Sequence, residues 1–361
     1  MKVALVGAGR IGRVHADAIR RQPGIERLVI CDPDGNAARK AASDFAAAAS
    51  YDDLDRMIEA ELPNVVHVCT PPATHAPAAL AALACGAHVL VEKPMVLGSD
   101  EVAQLAAAVK DRPGALCIDH NFLFEPEMIT ARGWVSEGAI GEVVSAEMFY
   151  GVDSLPGEVG PGSWSQALPG GRFTDLLPHG LYLLIHFLGD VRSVTARRGR
   201  RVNAPAATEL GVLLDCERGL GAVRVSLASQ PWELGLTIRG TAGTIRVDLA
   251  KQRAIIARHR RGRLPRKAAQ IVLGMDVAAQ NAVGAVRRIT GKLNGRLNGY
   301  PGMRTLITRF YTSIRNDLPP PISFDEGARV VAAIERIRAG LEERAGSSKP
   351  GIVIPLKHRA S

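Results

Sequence analysis

The first twelve residues constrain this chain more than any other stretch. An apolar run, Val3-Ala4-Leu5-Val6, passes into Gly7-Ala8-Gly9-Arg10-Ile11-Gly12 and from there into a helical pattern. Strand, G-x-G-x-x-G and helix in that order make up the dinucleotide-binding fingerprint. Gly7 permits the tight turn, Gly9 lets backbone approach a pyrophosphate, and Gly12 lets the helix lie close to the sheet with its N-terminus aimed at phosphates. A second apolar run, Leu28-Val29-Ile30-Cys31, ends at Asp32. A carboxylate there accepts hydrogen bonds from adenosine ribose hydroxyls and repels a 2′-phosphate, so NAD is expected and NADP disfavoured.

After this opening, strands and helices alternate at short spacing. Val65 to Cys69, His88 to Val91 and Leu116 to Asp119 read as buried strands, and helices are expected over Asn36 to Phe45, Asp53 to Glu59, from Thr74, and over Ser99 to Lys110. That alternation predicts a doubly wound parallel sheet, an α/β Rossmann domain spanning residues 1–122. Beyond a helix at Pro126 to Glu137 the pattern changes to successive strands with turn signals between them. These are Val143 to Tyr150, Ser193 to Arg200, Leu210 to Cys216, Leu220 to Ser229, Leu234 to Arg239 and Thr244 to Leu249. Residues 123–361 are therefore expected to form an α+β domain with a mostly antiparallel open sheet, used for substrate binding and for pairing into a homo-oligomer. A helix at about Asp175 to Leu188 interrupts the strands, and a helix from Asp325 to Arg344 and an extended piece close the chain.

No apolar run approaches the length of a membrane span, and a strand beginning at Lys2 leaves no room for a secretory leader, so a cytoplasmic location is expected. The five cysteines form no C-x-x-C pair and read as reduced core residues, with no metal site expected. The net charge of +9 is unevenly placed. Residues 251 to 315 hold fifteen Lys or Arg against the single acid Asp276, a net +14 that leaves the rest of the chain at −5. Within that segment, Ile271, Met275, Ala278, Ala282, Val286, Ile289 and Leu293 recur three or four apart, an apolar stripe on a helix over 267–297 that also carries Arg287, Arg288, Lys292 and Arg296. Plain packing on the sheet, an anionic-substrate site and peripheral contact with a membrane surface all suit such a helix. Nucleic acid is the least favoured partner. The run Arg258 to Arg263 could touch phosphates, but no RNA motif or recognition-helix module accompanies it.

Ligands of a doubly wound sheet bind outside the carboxyl ends of its strands. Thr70-Pro71-Pro72, Glu92-Lys93-Pro94 and His120-Asn121 stand at such ends. A lysine on a stiff turn beside the nicotinamide can polarise a carbonyl or alcohol oxygen. Asp175 and His179 are spaced i and i+4, so on one helix they share a face, and a carboxylate beside a histidine raises its basicity. The competing reading starts the helix only at Pro178 and makes Asp175 a capping residue.

The chain resembles the glucose-fructose oxidoreductase and inositol dehydrogenase (Gfo/Idh/MocA) family over nearly its whole length. The carriers are the glycine turn, Cys69-Thr70-Pro71-Pro72-Ala73-Thr74-His75, Gly86 through Glu92-Lys93-Pro94, and Trp164 followed by Gly170-Gly171, Asp175 and His179. The resemblance implies an NAD-dependent dehydrogenase or reductase acting on the CH–OH groups of a sugar, cyclitol or sugar derivative, and the basic helix brings an anionic, nucleotide-linked or lipid-linked substrate into view. Lys93 and His179 would be the catalytic pair, tuned by Asp175. Gly7, Gly9, Arg10, Ile11, Gly12, Asp32, Thr70, Pro71, His75, Glu92 and Lys93 would hold the cofactor, and His120, Asn121, Trp164 and Tyr182 the substrate. Three positions depart from the family pattern. Leu177 replaces a glycine, Tyr182 an acid that commonly binds sugar hydroxyls, and Leu123 a polar residue, which points to a less polar substrate or one held differently. Leu177 and Tyr182 also favour the alternative of a non-catalytic NAD-binding sensor or docking protein.

Overall fold

The computed structural model describes residues 1–153, 164–200, 206–258, 266–295, 297 and 299–346. The run from His259 to Arg263, Arg296 and the closing extended piece lie outside the described residues. The first half runs β1 (Lys2–Val6), α1 (Arg10–Arg20), β2 (Arg27–Cys31), α2 (Gly35–Asp44), β3 (Ala49–Tyr51), α3 (Leu54–Glu61), β4 (Val65–Val68), α4 (His75–Ala84), β5 (His88–Val91), α5 (Ser99–Val109) and β6 (Leu116–Ile118). These strands form one parallel sheet in the order β3-β2-β1-β4-β5-β6, the expected doubly wound arrangement. The order reverses between β1 and β4, and the crevice at that switch point is where the glycine turn lies. Side chains set the helix starts: Asp34 accepts from Asn36 N and Ala37 N ahead of α2, and Asp53 from Arg56 N ahead of α3.

The second half continues with α6 (Pro126–Ser136), β7 (Val143–Asp153), α7 (Trp164–Ala167), α8 (Arg172–Leu188), β8 (Val191–Gly199), β9 (Glu209–Cys216), β10 (Gly219–Ser226), β11 (Ala228–Gly240), β12 (Gly243–Asp248) and β13 (Arg253–Arg258). The seven strands order as β13-β12-β11-β7-β10-β9-β8, all antiparallel except the β7–β10 pair. One expectation needs correcting here, and one strand of this sheet was missed. The single strand over Leu220 to Ser229 is broken at Leu227, where the chain leaves β10 for β11. The edge strand β13 was not foreseen, because Arg253 and Arg258 made that stretch look like part of a basic run.

Helix α8 lies on the inner face of this sheet against β7 and β10. It starts at Arg172 with Gly171 as its N-cap, so Asp175 lies inside its first turn and is no cap, and Pro178 is internal. Burial of Phe173, Leu176, Leu177 and Leu181 holds the helix through the proline, whose missing N–H removes a single backbone bond. Gly180 allows the close approach, since a Cβ there would stand 2.6 Å from Val223 Cγ1. The chain ends with α9 (Arg266–Leu293), α10 (Pro301–Arg315) and α11 (Phe324–Gly346). Helix α10 returns to pack on α1, and α11 packs on α5, β6, α8 and β8, so the last helices fasten the two sheets together. Gln22 bonds Thr308, and Glu335 accepts from Ser99 N across that seam.

Candidate active site

The glycine turn is built as its sequence requires. Gly7 has φ +102°, and a Cβ on it would stand 2.6 Å from Cys69 O, while one on Gly12 would stand 1.9 Å from Gly7 O. Both positions are closed to larger residues by the protein itself. Gly9 is different: nothing lies within 4 Å of where its Cβ would be. Open space over Gly9, an uncapped N-terminus of α1 and no acid in that first turn form a cradle for an anion. Asp32 sits beside it, its Oδ2 accepting from Ala8 N at 2.7 Å and its Oδ1 from Asp34 N at 2.9 Å. These residues fit the pyrophosphate and ribose of a dinucleotide.

Lys93 stands two residues past the end of β5. Its ammonium donates to Asp175 Oδ1 at 2.7 Å and to Asp175 O at 2.9 Å. Burial alone would lower the Lys93 pKa, but the charges of Asp175 and Glu92 outweigh it and hold it above the ordinary lysine value. The carboxylate thus serves the lysine and makes no bond to His179, which corrects the expected Asp175–His179 pairing. The i, i+4 relation holds along α8, yet Asp175 turns to the stronger partner, a full positive charge brought in by the other domain.

His179 is held from three sides. Phe122 stacks on it with ring centroids 4.2 Å apart, Tyr150 meets it edge-on, and its Nδ1 lies 2.9 Å from the Tyr182 hydroxyl. That hydroxyl accepts from Phe122 N at 3.2 Å and donates to Asn121 Oδ1 at 3.4 Å. This network engages Nδ1 and leaves Nε2 as the ring nitrogen outside it. Burial, with help from Lys93 and His120, keeps the His179 pKa well below 6.5, and the ring is neutral.

Lys93, Asp175 and His179 line one cavity of about 770 Å³ together with Arg10, Ile11, Thr70, Glu92, Asn121 and Trp164. Tyr182 and His120 do not line it. They stack on each other behind His179, centroids 4.3 Å apart, so both are corrected from substrate contacts to supports. His75 is corrected likewise: its ring is buried with its nitrogens against Thr70 O and Pro94 O, and it ties two turns together away from the cavity. Pro71 is exposed, and its neighbour Pro72 takes the place in the wall. Leu123 and Leu177 are core residues, so they do not make the pocket apolar. Sequence reasoning missed Phe122, Tyr150, Arg172, Trp232, Gln252 and Tyr300, all of which line the cavity. Arg288 and Lys292 of α9 line it as well, which gives it a cationic side. Arg10 reaches across the opening to bond the Tyr300 hydroxyl at 3.0 Å.

Beneath the cofactor crevice lies a buried cluster that no motif announced. His15 Nε2 is 3.3 Å from Glu92 Oε1 and 3.2 Å from Asp119 Oδ2, and its Nδ1 meets His67, which in turn meets Tyr311 of α10. Burial opposes charge on His15, but Cys69, Asp119 and Glu92 outweigh it and raise its pKa. Burial and the Glu92 charge lift Asp119 to about 6, while burial lifts Glu125 to about 7 and Glu127 to about 8. Burial has the reverse effect on His67, His75, His88, His179, His120 (about 3) and His186 (about 4).

The sign of the pH dependence follows. The depressed histidines stabilise the fold above pH 6.5 and lose that contribution as pH falls toward their folded values. The raised acids and His15 stabilise it at low pH and lose theirs as pH rises through about 6 to 8 and beyond. The six histidines outnumber the three acids below pH 6.5. Scanning calorimetry should therefore find the highest melting temperature between about pH 6 and 7, with an acid-side fall of about 1.4 kcal/mol per pH unit for each net proton taken up on unfolding. A melting temperature still rising toward pH 4 would contradict the neutral buried histidines.

The comparisons with known proteins agree with this geometry. Residues 1–120 match the model described as the oxidoreductase family, NAD-binding Rossmann fold, and residues 128–246 match the GFO/IDH/MocA C-terminal domain. The chain belongs to the Gfo/Idh/MocA oxidoreductase family. In sequence it is 28% identical over 207 residues to a levoglucosan dehydrogenase from Pseudarthrobacter phenanthrenivorans, covering 54% of this chain and 53% of that one. It is also 28% identical over 206 residues to a D-glucoside 3-dehydrogenase from Escherichia coli, covering 56% and 58%. The chain thus spans only about half the length of the curated relatives it matches. In structure it resembles a levoglucosan dehydrogenase in complex with NADH (TM-score 0.78, 20% identity, 95% of this chain and 97% of that one). It also resembles the WlbA dehydrogenase of Bordetella pertussis in complex with NADH and UDP-GlcNAcA (0.74, 19%, 95% and 96%). These likenesses share the two-part fold of this Gfo/Idh/MocA chain.

Proposed function

We propose that this protein is an NAD-dependent oxidoreductase that moves a hydride between nicotinamide and a carbinol carbon of a sugar, cyclitol or sugar derivative carrying an anionic group. The observation behind the reading is the convergence of the Lys93–Asp175 pair and the neutral His179 on the same cavity as Arg10 and Ile11 of the glycine turn. NAD, when bound, supplies the hydride acceptor. During oxidation His179 Nε2 takes the substrate hydroxyl proton, and the Lys93 ammonium stabilises the oxygen as negative charge grows on it. Asp175 keeps that ammonium charged and fixed. Phe122 and Tyr182 hold the imidazole plane.

The anionic group is inferred from the cationic wall. Arg172, whose Nε is buried without a partner, stands with Arg288 and Lys292 around the cavity, and the rings of Trp164 and Trp232 lie at its edge. A phosphate or nucleotide on the sugar satisfies those donors, and the relative in complex with a uridine-diphosphate sugar supports this class. A second copy of the chain pairing on the outer sheet face, where Leu213 and Leu220 are exposed, belongs to the same reading.

The test is a panel of neutral sugars, cyclitols, sugar phosphates and nucleotide sugars, followed by reduced-cofactor absorbance. Turnover is expected with a charged member, and Arg288→Ala with Lys292→Ala should raise its KM by at least about tenfold with little change in kcat. NADH binding without turnover on any member would favour the sensor alternative. Preference for a neutral sugar would remove the anionic part.

A further inference from the structure

Helix α9 is amphipathic in the opposite sense from a core helix. The side packed on the edge strand β13 is polar. Gln280 accepts from Ile256 N at 2.9 Å and donates to Ile256 O at 2.9 Å, and Asn281 accepts from Arg253 at 2.8 Å. Gln280 thus satisfies backbone groups that an edge strand would otherwise leave open. Holding the edge this way points the apolar stripe away from the protein. Ile271, Met275, Val286 and Ile289 are 60–68% exposed and Leu293 is 83% exposed. A row of five large apolar side chains along one helix marks an interaction surface.

We infer that this outer face of α9 docks on an anionic phospholipid surface. Charge selects that occupant. The helix sequence carries Arg266, Lys267, Arg287, Arg288 and Lys292 against the one acid Asp276, so a second copy docked along this helix would bring two strongly cationic segments together. An anionic lipid surface meets both demands, taking the apolar stripe at the acyl boundary and complementing the net positive charge of the helix. Among the described residues no helix is long and apolar enough to cross a membrane, so contact is along the surface. Arg288 and Lys292 are also walls of the cavity, which places its mouth beside the docking face. The inference concerns attachment and stands independently of which substrate the site turns over.

Co-sedimentation of the full chain with vesicles of equal phosphatidylglycerol and phosphatidylcholine tests it. The protein should pellet with these vesicles at low salt, and at least about tenfold less with phosphatidylcholine alone or in about 0.5 M salt. Val286→Glu with Ile289→Glu should lower binding by at least about tenfold, and Ile271→Glu with Met275→Glu should do so at the other end of the stripe. Both pairs are exposed and outside the cavity, so NADH binding and the circular dichroism spectrum should be kept. The inference is overturned if the unmodified protein stays in the supernatant at low salt, or if both variants bind vesicles as it does. It is also overturned if light scattering shows a dimer that either variant converts to a monomer, because a second copy then covers the stripe.

Discussion

Replacing Lys93 with methionine should lower turnover by at least about a hundredfold while NADH affinity stays nearly unchanged. Methionine keeps most of the length of lysine and removes its charge. The lost group is a positive charge bonded to Asp175 at 2.7 Å, and it lines the cavity with His179. The cofactor cradle over Gly9 does not depend on it. Removal also strands Asp175, whose side chain is only 21% exposed, at a cost of about 1–3 kcal/mol in stability. Pairing Lys93→Met with Asp175→Asn separates the two effects. The double variant should regain stability and remain as slow as the single one. A Lys93→Met protein with unaltered turnover would take the lysine out of the mechanism.

What the sequence revealed divides by range of interaction. The glycine turn, the alternation of strands and helices and the position of Lys93 follow from local pattern, because a strand, its turn and the next helix are contiguous. The partner of Asp175 was out of reach for such reasoning. The i, i+4 rule compares residues on one helix, and Lys93 stands 82 positions away on the other domain. Tyr182 and His120 were mistaken for substrate contacts because residue type gives no direction, and it is their stacking that turns them behind His179. The stripe on α9 was correctly seen as apolar and helical, but which face meets the sheet depended on β13. A strand flanked by arginines hides its own edge, and with it the reason why Gln280 faces inward. The His15–Glu92–Asp119 cluster joins α1 with the ends of β5 and β6, elements far apart in the chain, so no local spacing could announce it.

The placement of His179 leads to the second large expectation. His179→Asn should lower kcat by about 10²–10⁴-fold, because asparagine retains a polar side chain and cannot accept the hydroxyl proton. The unmodified enzyme should show its acid limb well below pH 6.5, since burial and Lys93 disfavour the imidazolium, and an alkaline limb only above the ordinary lysine value. The sign is fixed by the role. A base must be unprotonated, so lowering its pKa extends activity to lower pH, and the limb should vanish in the Asn variant. Tyr182→Phe isolates the positioning part, because it removes the hydroxyl that meets Nδ1 and leaves Nε2 in place. An intermediate loss of about tenfold with a shifted acid limb is expected there, with KM little changed. An acid limb at or above pH 6.5 in the unmodified enzyme would mean an imidazole exposed to water, and a Tyr182→Phe profile identical to it would mean that the ring is held by something other than this hydroxyl.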